Sequence, residues 1–289
     1  MTGRTRTGRV EYSAGFFEQD FRSLQVPESF TGRGRFIGVQ GKKTMLKEFR
    51  CDLHIHTCLS PCADLDMYPS AIVAKSLEER LDVIAVCDHN SSENVLHVIN
   101  AARGTHLKVF PGMEISSREE VHLVALFDKL DALLKLQSWI YDHLPGKNEE
   151  SVFGCQAIVN ELDEVEGFNE RLLIGATELS IDEIVANVHE LGGLAIASHI
   201  DRQGFGIISH LGFIPPDLRL DALEISVRMG LKDARKEFAE LYRMAFIEAS
   251  DAHFIRDIGR ASTRFLLEDA TVEELKMAFR RQRGRLVLE

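Results

Sequence analysis

Asp52-Leu53-His54-Ile55-His56-Thr57 is the stretch whose reading decides this fold. Its alternation of apolar and polar residues is that of a strand. Residues two apart then face the same side, so His54 and His56 can present both imidazoles to one metal ion. Two histidines at this spacing also fit an ordinary polar strand end, and what lies downstream decides between the readings. The same kind of residue closes or opens one apolar run after another. Asp88-His89 ends the run 83–87, Glu114 follows the run 108–111, and His122 opens 121–127. His199 closes 194–198, and Asp251-Ala252-His253 follows 245–249. A closed barrel gathers its strand ends round one opening, so residues distant in sequence converge there. Five strands after the first, each placing His, Asp or Glu at such an end, predict a metal cluster at the mouth of an α/β barrel.

Strand candidates at 51–56, 222–226 and 264–267 complete the set, and helix-like segments lie between the strands. Ser180 with Glu183, and Thr271 with Glu274, have capping-box spacing, and Gly192-Gly193 stops the helix that begins at Ser180. Seven or eight parallel strands with intervening helices favour a closed barrel over an open sheet. No internal repeat and no glycine-rich phosphate loop occurs. Residues 146–175 break the rhythm and carry seven acidic side chains, which predicts a surface insertion or a cover over the site.

Composition narrows the function. The chain has 289 residues, 45% of them hydrophobic, and a formal net charge of −11, which argues against a general nucleic-acid-coating protein. No run approaches the roughly 18 apolar residues of a membrane span, and no apolar stretch follows the N-terminal arginines as in a secretory signal. Five cysteines without disulfide-scaffold spacing fit a reducing cytoplasm. The first 50 residues hold ten Lys/Arg against five Asp/Glu. Residues 1–48 are therefore expected to form a basic, flexible extension ahead of a barrel domain over 49–289, with Met45 as a candidate start.

The order of motifs resembles the PHP (polymerase and histidinol phosphatase) domain family. His-x-His-Thr is followed by a Ser-Pro/Asp-rich turn, Asp-His, Gly-x-Glu, a His-led strand, Ser-His and Ser-Asp-Ala-His, across roughly residues 50–289. The resemblance implies a distorted (βα)7 TIM-like barrel with two or three divalent metals at the strand C-terminal ends. Carried over, the family's ligands fall on His54, His56, His89, Glu114, His122, His199, Asp251 and His253. The ninth is an aspartate in a Ser-Asp-Gly turn, which this sequence replaces by Ser60-Pro61-Cys62-Ala63-Asp64-Leu65-Asp66. Counting back from Pro69 favours Asp64, with Asp66 as the other candidate. Asn90 stands where the family has Asp, outside the ligand set.

Six imidazoles and three carboxylates suit Mn²⁺, Fe²⁺ or Zn²⁺ better than Mg²⁺. Three divalent ions against Asp64, Glu114 and Asp251 leave an excess of about +3, which favours a phosphate-bearing substrate. Glu114, His199 and Asp251 are the expected catalytic residues, with Glu114 bridging ions and Asp88 orienting a neighbour. Arg118, Arg202 and Arg228 follow strand ends and are candidate phosphate contacts. Cys58 and Cys62, as well as His97, His106, His143, His189 and His210, read as structural. The expected activity is metal-dependent hydrolysis of a small phosphate ester, a nucleotide or sugar phosphate. Trimming of short RNA or DNA is the alternative. An amidohydrolase-like enzyme and a non-catalytic metal-binding regulatory module are further readings.

Overall fold

The computed structural model describes residues 35–36 and 45–288, all within one compact unit. Most of the expected flexible extension at residues 1–48 lies outside the described residues. The strands are β1 (Arg35–Phe36), β2 (Met45–Ile55), β3 (Val83–Val86), β4 (Lys108–Ser116), β5 (His122–Leu126) and β6 (Ala157–Val159). They continue with β7 (Val165–Phe168), β8 (Leu194–Ala197), β9 (Ala222–Ile225), β10 (Phe246–Glu248), β11 (Thr263–Leu267) and β12 (Leu286–Leu288). Helices α1 (Pro69–Glu78), α2 (Val95–Ala101), α3 (Leu130–Asp142) and α4 (Glu150–Phe153) fall in the first half. Helices α5 (Ile181–Glu190), α6 (Ile207–Leu211), α7 (Leu231–Glu237) and α8 (Val272–Phe279) fall in the second. None is long and apolar enough to cross a membrane.

The main sheet runs β10-β9-β8-β5-β4-β3-β2-β11-β12, with β1 paired to β2. It curls into a barrel because the chain beyond β10 returns to β2. Ile55 and Ala252 form a parallel bridge, His56 N–H donates to the Ala252 carbonyl at 3.0 Å, and Ser250 N–H donates to Asp52 at 2.9 Å. The expectation of an all-parallel barrel needs correction. β5 is antiparallel to both β4 and β8, and β11 is antiparallel to both β2 and β12. Five residues separate β4 from β5, too few for a helical crossover, so this pair has to be a hairpin. The boundary expected at residue 49 also moves. β2 begins at Met45, with Lys47 and Glu48 already in register with Leu267 and Leu266.

The helix punctuation follows local chemistry. Ser180 Oγ accepts from Glu183 N–H while the Glu183 side chain accepts from Ser180 N–H, a complete capping box. At Thr271 only half of it forms, because the Glu274 carboxylate is taken by Glu268 N–H and Arg285. Gly192, at φ 82°, lets the chain leave α5 in the left-handed region. Gly193 then passes under Phe127, whose ring lies 2.5 Å from where a Cβ would stand.

Strand periodicity sorts the core into two layers. Val83, Ala85 and Cys87 of the β3 segment, Phe110 of β4, Val124 and Leu126 of β5, Ile196 of β8 and Ala222 of β9 form one cluster inside the barrel. Leu275, Ala278 and Phe279 of α8 join it. Ile84, Val86, Met113, Leu123 and Ala125, of opposite parity, pack with α1, α2, α3 and α5 in the second cluster. Residues 146–175 contain α4 and the β6–β7 hairpin. The hairpin is pinned beside the barrel: Asn94 holds the Ala157 carbonyl and the Val159 N–H, and Cys58 packs on Ala157 and Val159.

Candidate metal centre

Following the inward parity to the end of each strand leads directly to the site. On β3 the series 83, 85, 87 continues to His89, on β4 Phe110 and Gly112 lead to Glu114, and on β5 Val124 is preceded by His122. Because β5 is antiparallel, its first residue lies at the same mouth as the last residues of its neighbours. Three strands reach the mouth through a local change of backbone. The β2–β3 register shifts between Asp52 and Ile55, so Cys51 and Leu53 fill the interior while His54 and His56 turn to the mouth. After β8, His199 takes φ 28°, and after β10, Asp251 takes φ 48°. Such left-handed backbone is unfavourable for non-glycine residues and aims both side chains inward.

Glu114 stands at the centre. Nitrogens of His122 (3.0 Å), His89 (3.1 Å), His199 (3.3 Å), His54 (3.4 Å) and His56 (3.4 Å) surround its carboxylate. Asp251 lies 3.1 Å from His56 and 3.6 Å from His253. Eight of the nine expected ligands are thus brought together. The ninth is not: Asp64 is exposed, and its carboxylate accepts the N–H of Asp66 at 3.0 Å. Asp66 is exposed as well. Only the Asp64 backbone approaches the cluster, its N–H donating to the His253 carbonyl at 2.8 Å. Cys62, two residues earlier, lines the cavity with His89, Glu114, His199 and Asp251.

The donor set fits divalent ions. Three groups have ligand atoms within 4.8 Å of one another: His54-His56-Glu114-Asp251, His89-Glu114-His122 and His56-His89-His253. Glu114 Oε1 and the Nδ1 atoms of His89 and His122 are buried, yet none makes a hydrogen bond of acceptable geometry. Buried polar atoms left without partners are costly, and lone pairs converging on a common space are what a cation requires. Supporting residues fix the ring orientations. His54 Nδ1 donates to Glu224 at 2.9 Å, His56 Nδ1 donates to Ser60 Oγ at 3.0 Å, and His253 Nδ1 donates to the Asp251 carbonyl at 2.8 Å. In each case Nε2 remains for a metal. Asp88 accepts Thr57 N–H, Thr57 Oγ1 and Ser60 Oγ at 2.7–2.8 Å, the orienting role expected of it.

Glu224 was not anticipated from the sequence. It is buried, bonded to His54 and to His199 N–H, and stands two residues after Ala222 on the inward face of β9. A carboxylate in the middle of that apolar run was the available signal. Asn90 also finds its reason. Its Oδ1 accepts Ser116 N–H while its Nδ2 donates to the Leu173 and Gly175 carbonyls, and an aspartate could not donate.

Charge balance in the metal-free cluster follows from these contacts. Burial depresses the His54 imidazole, but Glu224, Glu114 and Asp251 together hold it well above its ordinary value. Burial opposes protonation of His56 too, and bonding to Asp251 and Glu114 nevertheless raises it to about 9. Burial and the neighbouring His56 push His253 down to about 4. Burial works against ionised Glu114, yet His122, His54 and His89 keep it well below the carboxylate range. Protons on two imidazoles thus occupy the role that cations fill in a loaded site.

The three expected arginines separate. Arg202 Nη1 pairs with Asp251 at 2.6 Å and lines the metal cavity. Arg228 lies with Arg202 along an adjoining cleft of about 620 Å³. Arg118 is 63% exposed, faces Glu119 and lines neither space.

The PHP domain family matches residues 52–189, and the PHP-associated family matches residues 233–283. No curated protein matches the chain. Among solved structures it is similar to the lesion-specific endonuclease PfuEndoQ from Pyrococcus furiosus, at 17% identity and TM-score 0.63, covering 83% of this chain but 57% of that one. PsfC from Pseudomonas syringae PB-5123 is similar at 16% identity and TM-score 0.52, covering 83% of this chain and 91% of that one. An amidohydrolase from Chromobacterium violaceum is similar at 19% identity and TM-score 0.52, covering 72% of this chain and 89% of that one. At these identities the likeness is one of fold. The PHP match spans the ligand-bearing strands from β2 to β5, the PHP-associated match takes in Asp251 and His253, and the mouth they build gathers eight of the nine ligands that the motif order implies: the chain belongs to the PHP domain family.

Proposed function

We propose that the protein is a metal-dependent phosphoesterase that hydrolyses a small phosphate ester, a nucleotide or sugar phosphate, in the cytoplasm. The observation that carries the reading is Glu114 ringed by five imidazoles at a mouth that opens past Arg202 onto a cleft. Two or three ions of Mn²⁺, Fe²⁺ or Zn²⁺ suit a donor set of imidazoles and carboxylates. Bound there, divalent cations supply Lewis acidity toward a phosphoryl oxygen and an acidified water for in-line attack at phosphorus.

The chain's own residues do the rest. Glu114 belongs to two of the three ligand groups, and its carboxylate would hold an ion in each. Glu224 and Ser60 lock the His54 and His56 rings, so that Nε2 of each points into the site without reorganisation at the moment of reaction. Asp251 ties Arg202 to the cluster, and the planar guanidinium held in the cavity wall suits contact with a phosphate oxygen. Three divalent ions set against Glu114, Asp251 and Glu224 leave about +3, an attraction for a phosphate rather than for a neutral amide. His199 lies beside Glu114 and Arg202 in the cavity wall, close to an entering phosphate.

A second reading, cleavage of short oligonucleotides, draws support from the open cleft with Arg202 and Arg228 and from the fold likeness to a lesion-specific endonuclease. Phosphate release from nucleotides and sugar phosphates, and shortening of short oligonucleotides, by protein loaded with Mn²⁺, Fe²⁺ or Zn²⁺ test the two readings. Release from the monoesters supports the first, and cleavage of oligonucleotides alone supports the second. Turnover of amide substrates with neither phosphate release nor oligonucleotide cleavage overturns both.

A further inference from the structure

The chain segment that joins the metal cavity to the cleft carries an aromatic side chain with no role in ligation. Phe205 is 42% exposed and lines both spaces, beside Arg202 and Gly204. It is nonetheless held firmly. Its ring lies on that of His122, with centroids 4.3 Å apart and planes inclined by 12°. His210 continues the row, nearly parallel at 11° and 6.2 Å. The backbone is fixed at both ends, for Phe205 N–H donates to His210 Nε2 and its carbonyl accepts from His122 N–H, each at 3.0 Å.

The conformation of this residue sharpens the point. Phe205 adopts φ 61°, a left-handed state that a bulky side chain rarely takes. Glycines flank it at 204 and 206, and either would take that conformation without strain, yet the positive φ falls on the phenylalanine. Strain retained against such an easy alternative marks a side chain whose placement matters. A half-exposed ring over a metal ligand excludes little water and buries little surface, so core packing does not account for it.

We infer that Phe205 is the stacking platform for an aromatic group on the substrate, a nucleobase in the cleft whose phosphate reaches Arg202 and the metal cluster. This rests on the phosphoesterase reading and selects nucleotides over sugar phosphates within it. A base has a π-face that an aromatic side chain engages whatever its identity, and loss of such a platform weakens binding by roughly 5- to 150-fold. Glycerol phosphate has no ring to place there.

The experiment compares wild type, Phe205→Leu and Phe205→Tyr on adenosine monophosphate and glycerol phosphate, with a 2-aminopurine nucleotide as a fluorescent binding probe. Phe205→Leu is expected to raise KM for the nucleotide by roughly 5- to 150-fold. KM for glycerol phosphate and kcat for both substrates should stay within about twofold, and Phe205→Tyr should restore the nucleotide KM. Quenching of the probe, expected in wild type and Phe205→Tyr, should be lost in Phe205→Leu. Equal losses on both substrates would reveal a structural role through His122 and overturn the inference, as would an unchanged nucleotide KM. If no variant releases phosphate, the quenching still decides: its loss in Phe205→Leu alone keeps the base platform while the phosphoesterase reading falls.

Discussion

The mouth of the barrel and the interior beneath it are built from the same inward-facing strand positions, and they use them in opposite ways. Below the mouth, Phe110, Val124, Leu126 and Ile196 pack together in one apolar cluster. One strand step further, Glu114 and His122 meet at 3.0 Å with their hydrogen-bonding capacity unmet. The backbone differs as well. Asn90, His199, Phe205 and Asp251, four of the nine non-glycine residues with positive φ among the described residues, stand at the mouth. Stability resides in the layer where every contact is satisfied, and function in the layer where contacts await a cation. Loss of an ion should therefore spare the fold, and loss of interior packing should spare the ions.

The largest effect expected from breaking this division is at Glu114. Glu114→Gln removes the carboxylate shared by two ligand groups, so metal analysis should show the loss of more than one ion per chain. The rate of phosphate release should fall by more than the roughly 100-fold upper range seen for supporting partners. Full metal content in that variant would refute the bridging role. Phe110→Ala probes the other layer: it should cost about 3–5 kcal/mol in denaturant unfolding while leaving the ion count unchanged. Glu224→Gln sits on the boundary. It keeps the shape of the His54 partner but not its charge, and titration should show a weakening of metal affinity of roughly 10-fold, toward the low end of such effects.

Proton occupancy offers a finer test. In metal-free protein His56 is raised to about 9 by Asp251 and Glu114 against burial. An imidazole that holds its proton more tightly when folded contributes stability that is complete below pH about 6.5 and is lost as the pH rises through about 9. His253, at about 4, has finished titrating before that window opens. The melting temperature of chelated protein should therefore fall between these pH values. With metal present the same deprotonation favours ligation, so the gap between loaded and chelated protein should widen. A chelated protein that melts higher at pH 9 than at pH 6.5 would contradict the charge pattern of the site.

Much of this division is legible in the sequence because a barrel strand writes its inward face at every second residue. His89, Glu114 and His122 each continue an apolar series of that period, and the motif order ties them to one opening. Exceptions arise where the backbone changes phase. The register shift in β2 turns His54 and His56 inward, and the left-handed turns at His199 and Asp251 aim their side chains, and no local pattern announces either. At β5 the strand direction departs from the parallel expectation, and the five-residue link from β4 already excludes a parallel crossover. Glu224 was passed over because it lies inside an apolar run, where a single acidic residue looks like surface, and only a closed barrel makes that position interior. Phe205 carries no sequence signal at all, since its importance lies in a ring contact and a backbone angle.

The smallest expected effect concerns Asp64, where counting along the sequence and the folded turn disagree. Spacing to Pro69 placed its carboxylate in the site, and the turn directs it outward onto the Asp66 N–H. Asparagine presents the same acceptor oxygen, so Asp64→Asn should keep that bond and change the melting temperature little. Asp64→Ala loses the bond and should cost roughly 0.5–1.5 kcal/mol, less for so exposed a group. In neither variant should the number of bound ions or the rate of phosphate release change. The contrast with Cys62, whose residue lines the cavity, makes the pair informative. Loss of one ion in Asp64→Asn would mean that the turn reverses on metal binding and that the carboxylate is a ligand after all. Retention of every ion in both Asp64 variants leaves Cys62 as the side chain of this turn positioned against the cluster, and metal analysis of the two variants side by side separates the two outcomes.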